Sequence, residues 1–499
     1  MNVFDAAGLW VMSAYLAALI GIGIASRRAR RENSLGDFYL GGRALGTVVL
    51  FLTLYATQYS GLTLVGFAGA AYRSGFTFLV SVTFGCSIIG GYVLIAPSLR
   101  ALSERHGFIT IGDFIHHRYR STRLTAWTAG LFVFALATYV LSNLKAAGYV
   151  IEAASGGRIS LAAGIIGLSI LIVAYETLGG LRAVAWTDTL QGGVLCVGCA
   201  AAFGTIVAHY GFGDSMAQLA HQRPELFAPP DRAQQAGWLS TLVLVMFGVS
   251  IYPHAVQRIY AASSRIALRR SLQLMLLMPF ITTLPMLAVG YIGAAHFPDL
   301  SRTESEQVVF VVLGRLSETV AGLRPLVVLL VCALLAAIMS TVDSALLAIS
   351  SLVTQDLYAQ LRPGSSQAQL TRLGKRFSWA LMAALAGLAI ALPQTLWRIT
   401  EVKLEVLVQM APAIFLGLHS QRVRTRDVAW GLVLGLGVTL GLLVCAPLSD
   451  AVAAKPLGIH AGVWGLAANL GRVLWGLRKG PRRRAQPLHA PGPETGNTA

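Results

Sequence analysis

Runs of about twenty apolar residues alternate with short polar gaps along almost the whole chain, a spacing that predicts helices able to cross a bilayer's hydrocarbon core. The apolar stretches fall near residues 8–26, 45–71, 75–97, 124–150, 160–178, 188–210, 237–256, 272–296, 325–353, 377–393, 404–418, 428–446 and 460–477. These thirteen stretches make an all-α polytopic membrane protein the expected fold class. Composition agrees, since 55% of the 499 residues are hydrophobic and 12% are charged, too few to cover a water-exposed surface.

Charge sets the expected orientation. Arginines and lysines gather in alternate gaps, as at Arg27, Arg28, Arg30 and Arg31, at Arg265, Arg269 and Arg270, and at Arg422, Arg424 and Arg426. The positive-inside rule then predicts an external N-terminus and a cytoplasmic C-terminus. These loops largely account for the net charge of +17, so anionic membrane lipids are the expected partner and nucleic acid is not. Residues 478–499 are expected to form a basic, disordered cytoplasmic tail. The five cysteines all lie in apolar stretches, and Cys196 and Cys199 lack the strand–helix context of a redox motif, so no disulfide is expected. The first apolar run precedes the arginine cluster, which argues for a retained helix rather than a cleaved leader.

Polar residues inside the apolar runs mark where chemistry is expected. The stretch from Leu326 to Val353 carries Ser340-Thr341-Val342-Asp343-Ser344. On a helix Thr341 leans back over the turn that carries the Ala337 carbonyl, so that carbonyl, Ser340 and Thr341 can offer neutral oxygens to a small alkali cation. The competing reading is that both hydroxyls bond back to carbonyls of their own helix. The second apolar run holds Thr57, Gln58, Tyr59, Ser60 and Gly61, and the seventh holds Gly248, Ser250 and Pro253. A break at either place would free carbonyls and helix ends for ligands. Gln58, Ser60, Thr63, Tyr252, His254, Gln257 and Gln409 are the candidate solute contacts, although they form no recognisable substrate code. His254 reads either as a group that orients a carboxylate or as a bond to a neighbouring helix. Gly374-Lys375 lacks the spacing of a phosphate loop, and no metal-ligand cluster or nucleophile–base pair stands out. An ATP-driven pump and a membrane enzyme are therefore unsupported, and no catalytic residue is assigned.

Ser340-Thr341-Val342-Asp343-Ser344 resembles the sodium-binding helix of the sodium:solute symporter family, and the likeness continues through Thr354-Gln355-Asp356-Leu357-Tyr358. Four further stretches resemble the same family in the right order: Asp37 to Arg43, Ile111-Gly112-Asp113-Phe114 with Arg118-Tyr119, Gly179 to Asp188, and Pro253-His254 with Gln257-Arg258. The resemblance implies a leading helix with its loop over residues 1–44 and inverted five-helix repeats over 45–210 and 237–418. Two trailing helices would follow over 428–477. The repeats with their broken first helices would form a LeuT-like core. It further implies Na+ as the co-transported ion, held by the carbonyls of Ala56, Tyr59 and Ala337 and the hydroxyls of Ser340 and Thr341. Asp188 would lie on the ion's exit route, with a helix N-cap at Thr187 or Asp188 as the structural alternative. Asp343, roughly 200° around the helix from Thr341, is expected to be a buried partner for an arginine or a backbone group. Gln58 stands where the family's proline permeases carry Asp.

The activity implied is sodium-coupled import of a small organic solute across the plasma (inner) membrane by alternating access. A monomer would suffice, and an oligomer is compatible with it. A proton-coupled or amino-acid permease on the same scaffold is the alternative, as is a non-transporting sensor, for which residues 478–499 leave no room for a signalling domain. Gly431 with Gly435, and Gly437 with Gly441, have the spacing of helix-packing glycines, with packing inside the chain as the default.

Overall fold

A computed structural model describes residues 6–29, 34–320, 323–392, 396–445 and 455–479. Hydrocarbon offers no hydrogen bonds, so an apolar chain must satisfy its backbone internally, and helices do this segment by segment. In chain order the main helices are α1 (Ala6–Arg28), α2 (Thr47–Gln58), α3 (Gly61–Ser74), α4 (Val82–His106), α5 (Thr122–Ala154) and α6 (Leu161–Gly179). There follow α7 (Leu181–Tyr210), α8 (Arg232–Gly248), α9 (Pro253–Ala261), α10 (Arg265–Met275), α11 (Leu284–His296) and α12 (Arg324–Ser351). The last five are α13 (Gln367–Ala391), α14 (Leu396–Leu407), α15 (Ala411–His419), α16 (Thr425–Cys445) and α17 (Ala461–Lys479). Each of the thirteen predicted stretches lies on one of these helices or on a broken pair of them. Among the described residues, ten helical segments are long and apolar enough to cross a membrane.

Both predicted breaks are present. After α2 the backbone becomes extended at Tyr59 (φ −99°, ψ 90°) and Ser60 (φ −78°, ψ 166°) before Gly61 opens α3. After α8 a short 3₁₀ turn over Val249–Ile251 leads to Tyr252 (φ −54°, ψ 126°), and Pro253 opens α9. Proline explains the second break, because it lacks an N–H and pushes the preceding residue out of the helical region. The two breaks meet α12, which lies at the centre of the bundle and packs against α2, α5, α7 and α9. Its residues from Val327 to Leu352 are almost entirely buried. Trp10, Val93, Trp127, Phe134, Ile170 and Trp430 are exposed apolar residues on outer helices, as a lipid-facing surface requires.

The interval 179–187, expected as a cytoplasmic loop, is helical apart from a one-residue elbow. Gly180 sits at φ +60° between α6 and α7, and a Cβ there would lie 2.3 Å from the Phe38 carbonyl oxygen. Only glycine meets both conditions. The tail expected to be disordered falls mostly at residues 480–499, outside the described residues. Glycines 431 and 435 pack inside the chain, with α16 seated on α17: Cβ atoms there would lie 2.5 Å from Asn469 Oδ1 and 2.3 Å from Gln409 Oε1. Gly437 and Gly441 meet no neighbour within 4 Å.

The family-like motifs interlock in pairs. Arg182 Nη2 donates to Asp37 Oδ1 at 2.6 Å, and Thr110 Oγ1 donates to Asp356 Oδ1 at 2.7 Å. Arg118 donates to the carbonyls of Gly417, Ser420 and Val423, tying the Ile111–Tyr119 helix to the end of α15. These charged residues hold distant loops together where helix packing alone leaves backbone carbonyls unpaired.

Candidate ion and solute site

Helical geometry places the Thr341 hydroxyl over the preceding turn, and its Oγ1 donates to the Ala337 carbonyl at 2.9 Å. The donated proton leaves the lone pairs of Oγ1 free to meet a cation. Ser340, fully buried beside it, reaches across to α7 instead, donating to Asp188 Oδ1 at 2.5 Å. A hydroxyl that donates to a carboxylate carries more negative charge on its oxygen, which suits Ser340 to meeting a cation. Ala56 lies among the last four residues of α2, whose carbonyls have no partner within that helix, and Tyr59 lies in the break itself. The oxygens of Ala56, Tyr59, Ala337, Ser340 and Thr341 thus belong to two elements, the broken α2–α3 pair and α12, which pack on each other.

Asp188 organises the layer beneath. Its Oδ2 accepts from Thr53 Oγ1 of α2 and from Arg258 Nη2 of α9 at 2.7 Å. Arg258 also donates to Thr53 Oγ1 at 2.7 Å, to the His254 carbonyl at 3.0 Å and to Ser344 Oγ at 2.5 Å. Both members of the pair have no exposed side-chain surface. Four elements therefore converge on one buried ion pair, at a depth where desolvation is offset only by full hydrogen bonding. Asp188 is not a helix N-cap, because α7 begins at Leu181 and Asp188 lies about two turns inside it. Thr187 is no cap either; its hydroxyl bonds back to the carbonyls of Ala183 and Val184. Asp343, expected to meet an arginine or the backbone, accepts from the Tyr175 hydroxyl at 2.5 Å and from Ser344 Oγ at 3.1 Å. Arg258, whose position suggested a cytoplasmic loop, is the cation at the centre of the molecule. The clue to it was its place in the family-like stretch Pro253-His254 with Gln257-Arg258.

Next to these oxygens lies an aromatic layer. The Tyr139 hydroxyl of α5 lies beside Thr341 and Ser60. Its ring centroid is 5.8 Å from that of Tyr252 and 6.2 Å from that of His254. His254 is fully buried and, among the described residues, neither ring nitrogen has a hydrogen-bond partner, so no bond to a neighbouring helix is made there. Lys403 of α14 completes the layer, its ammonium 3.5 Å from the Tyr139 ring centroid and 5.3 Å from that of Tyr252. Lys403 was missed in the sequence because it stands one residue before the predicted stretch at 404–418, where it reads as a loop charge. Gln58 donates to the Tyr92 hydroxyl. Gln257 and Gln409 are engaged in holding helices together: Gln257 Nε2 donates to Ser351 Oγ at 2.6 Å and Gln409 Nε2 to the Gly462 carbonyl at 2.8 Å. The side chain of Thr63 lies outside the described residues.

Residues 38–435 match the sequence profile of the sodium:solute symporter family. The chain belongs to this family. The sodium/pantothenate symporter of Escherichia coli (strain K12) is 29% identical over 487 residues, covering 94% of this chain and 95% of the relative. The high-affinity proline transporter PutP of Bacillus subtilis (strain 168) is 27% identical over 443 residues, covering 84% of this chain and 89% of the relative. A Na+-coupled sialic acid symporter, solved substrate-bound in an outward-open state, shares the fold with a TM-score of 0.79 at 19% identity, over 95% of this chain and 98% of that one. A sodium:solute symporter family chain is a multi-pass membrane transporter that moves its solute with Na+ as the coupled ion.

Proposed function

We propose that this chain imports a small organic solute with Na+ bound by the carbonyls of Ala56, Tyr59 and Ala337 and the hydroxyls of Ser340 and Thr341. The observation that carries the assignment is the Ser340–Asp188 hydrogen bond beside the break in α2–α3. It sets a polarised hydroxyl and unpaired helix-end carbonyls on elements that pack together. Five neutral oxygens suit Na+, whereas strict proton coupling calls for a titratable group among the ligands themselves. Asp188 acts from behind Ser340 and lies on the ion's exit route. The solute occupies the aromatic layer next to the ion, against Ser60, Tyr252 and His254. Tyr139 joins the two, since its hydroxyl lies beside Thr341 and its ring lines the solute layer. One phenol in contact with both sites gives ion and solute a shared, physically connected element through which each favours the other's binding. The N-terminus faces outward and the C-terminus the cytoplasm. In proteoliposomes, solute uptake should require Na+ outside and vanish when choline replaces it at constant pH. Uptake that follows an imposed proton gradient in choline would overturn the assignment.

A further inference from the structure

Lys403 is a cation in the wrong place for a merely structural residue. It is only 3% exposed, yet among the described residues its ammonium forms no hydrogen bond and no ion pair, and two tyrosine ring faces lie against it. Ring faces attract a cation but accept none of its three N–H bonds. A buried ammonium left in that state is among the most unfavourable arrangements a fold can hold. No buried carboxylate described pairs with it: Glu405 Oε1 faces His460 Nδ1 at 3.2 Å, Asp188 is paired with Arg258, and Asp343 accepts from Tyr175. His254, whose ring stands 5.0 Å from that of Tyr252 and stacks on Tyr139, adds two further orphaned polar atoms to the same layer.

We propose that the transported solute is a carboxylate anion, its carboxylate held by Lys403 and its next polar group hydrogen-bonded by His254. The apolar body of the solute would rest on Tyr139 and Tyr252. This deepens the proposed function and rests on the reading that the aromatic layer is the solute site. An ammonium and an imidazole satisfy an acid bearing a neighbouring hydroxyl, amide or ring nitrogen. They offer no acceptor carboxylate for a solute's own ammonium, which disfavours zwitterionic amino acids and cations. A dianionic phosphate would call for more donors than one lysine and one imidazole supply. The chemistry thus points to monocarboxylates.

The test uses the full-length protein purified in detergent, with thermal stability read in NaCl and in choline chloride. Propionate, pyruvate, nicotinate and pantothenate are each compared with the corresponding carboxamide, and proline serves as the zwitterion. At least one acid should stabilise the wild type in NaCl at a concentration tenfold or more below its carboxamide. Lys403→Met should abolish that preference while retaining the stabilisation by Na+ alone, and Lys403→Arg should retain part of it. The proposal is overturned if no acid outperforms its carboxamide, if proline outperforms every acid, or if Lys403→Met keeps the acid preference. Loss of any Na+ effect in the wild type would instead count against the ion assignment, so the two failures are distinguishable.

Discussion

Ser340 and Thr341 are adjacent in sequence but do different work, because one hydroxyl bonds back along its helix and the other reaches across to Asp188. Each substitution to alanine removes one proposed oxygen ligand and little volume. Each should raise the Na+ concentration for half-maximal uptake by about fivefold to tenfold, corresponding to roughly 1 kcal/mol for a lost polar contact. Ser340→Ala should have the larger effect, since it also strips Asp188 of a donor. Equal Na+ half-saturation in the double variant and the wild type would place the ion elsewhere. The Asp188–Arg258 pair makes a second residue-scale prediction. Arg258→Met leaves a buried carboxylate with Thr53 and Ser340 as its remaining donors, and should destabilise the protein by about 3–5 kcal/mol. Combining it with Asp188→Asn removes the orphaned charge and should recover much of that loss, measured as thermal unfolding in detergent. A double variant as unstable as Arg258→Met alone would mean that the pair is not the source of the cost.

At the scale of elements, composition announced the helices, and single residues set where they stop. Pro253 and the Ser60–Gly61 step were legible as breaks because proline and glycine change backbone preference by themselves. The Gly180 elbow was not legible, since a lone glycine beside Gly179 reads equally as a loop. Its role depends on the Phe38 carbonyl, contributed from far away in the sequence. Gly180→Ala forces a side chain into a left-handed residue and against that carbonyl. It should cost about 1–3 kcal/mol of stability, as overpacked sites do, and it should disturb the Arg182–Asp37 pair next to it. A variant with wild-type melting would show that α6 and α7 are free to rejoin as one helix. The solute candidates divided for a related reason: polarity and depth picked out Gln257 and Gln409, but only packing reveals that their amides tie helices together.

For the molecule as a whole, the alternating charge of the gaps predicts that α8 starts on the outer side. Gln234, exposed in the first turn of α8, should react there once replaced by cysteine, using an impermeant maleimide on intact cells. A reporter active only in the cytoplasm should function when fused after Arg484. An external C-terminus would make the number of spans even and overturn the assigned orientation. Neutralising Arg27, Arg28, Arg30 and Arg31 together should weaken the inward bias of the first loop, since roughly 1 kcal/mol per residue of attraction to anionic lipid is lost.

What the sequence determined by itself follows from local physics. Apolar runs of bilayer length dictate helices, proline and glycine dictate breaks, and Ser340 and Thr341 must lie one turn from the Ala337 carbonyl because a helix leaves them no other place. The family motifs added that these helices form a sodium symporter. What only the tertiary structure decided is which charges are buried and against what. Arg258 and Lys403 look alike in sequence, each a cation at the margin of an apolar run. Packing gives Arg258 an aspartate, a threonine and a serine, and gives Lys403 two tyrosine faces and, among the described residues, no acceptor. The environment of a charge is set by residues from other helices, and no local pattern encodes those neighbours.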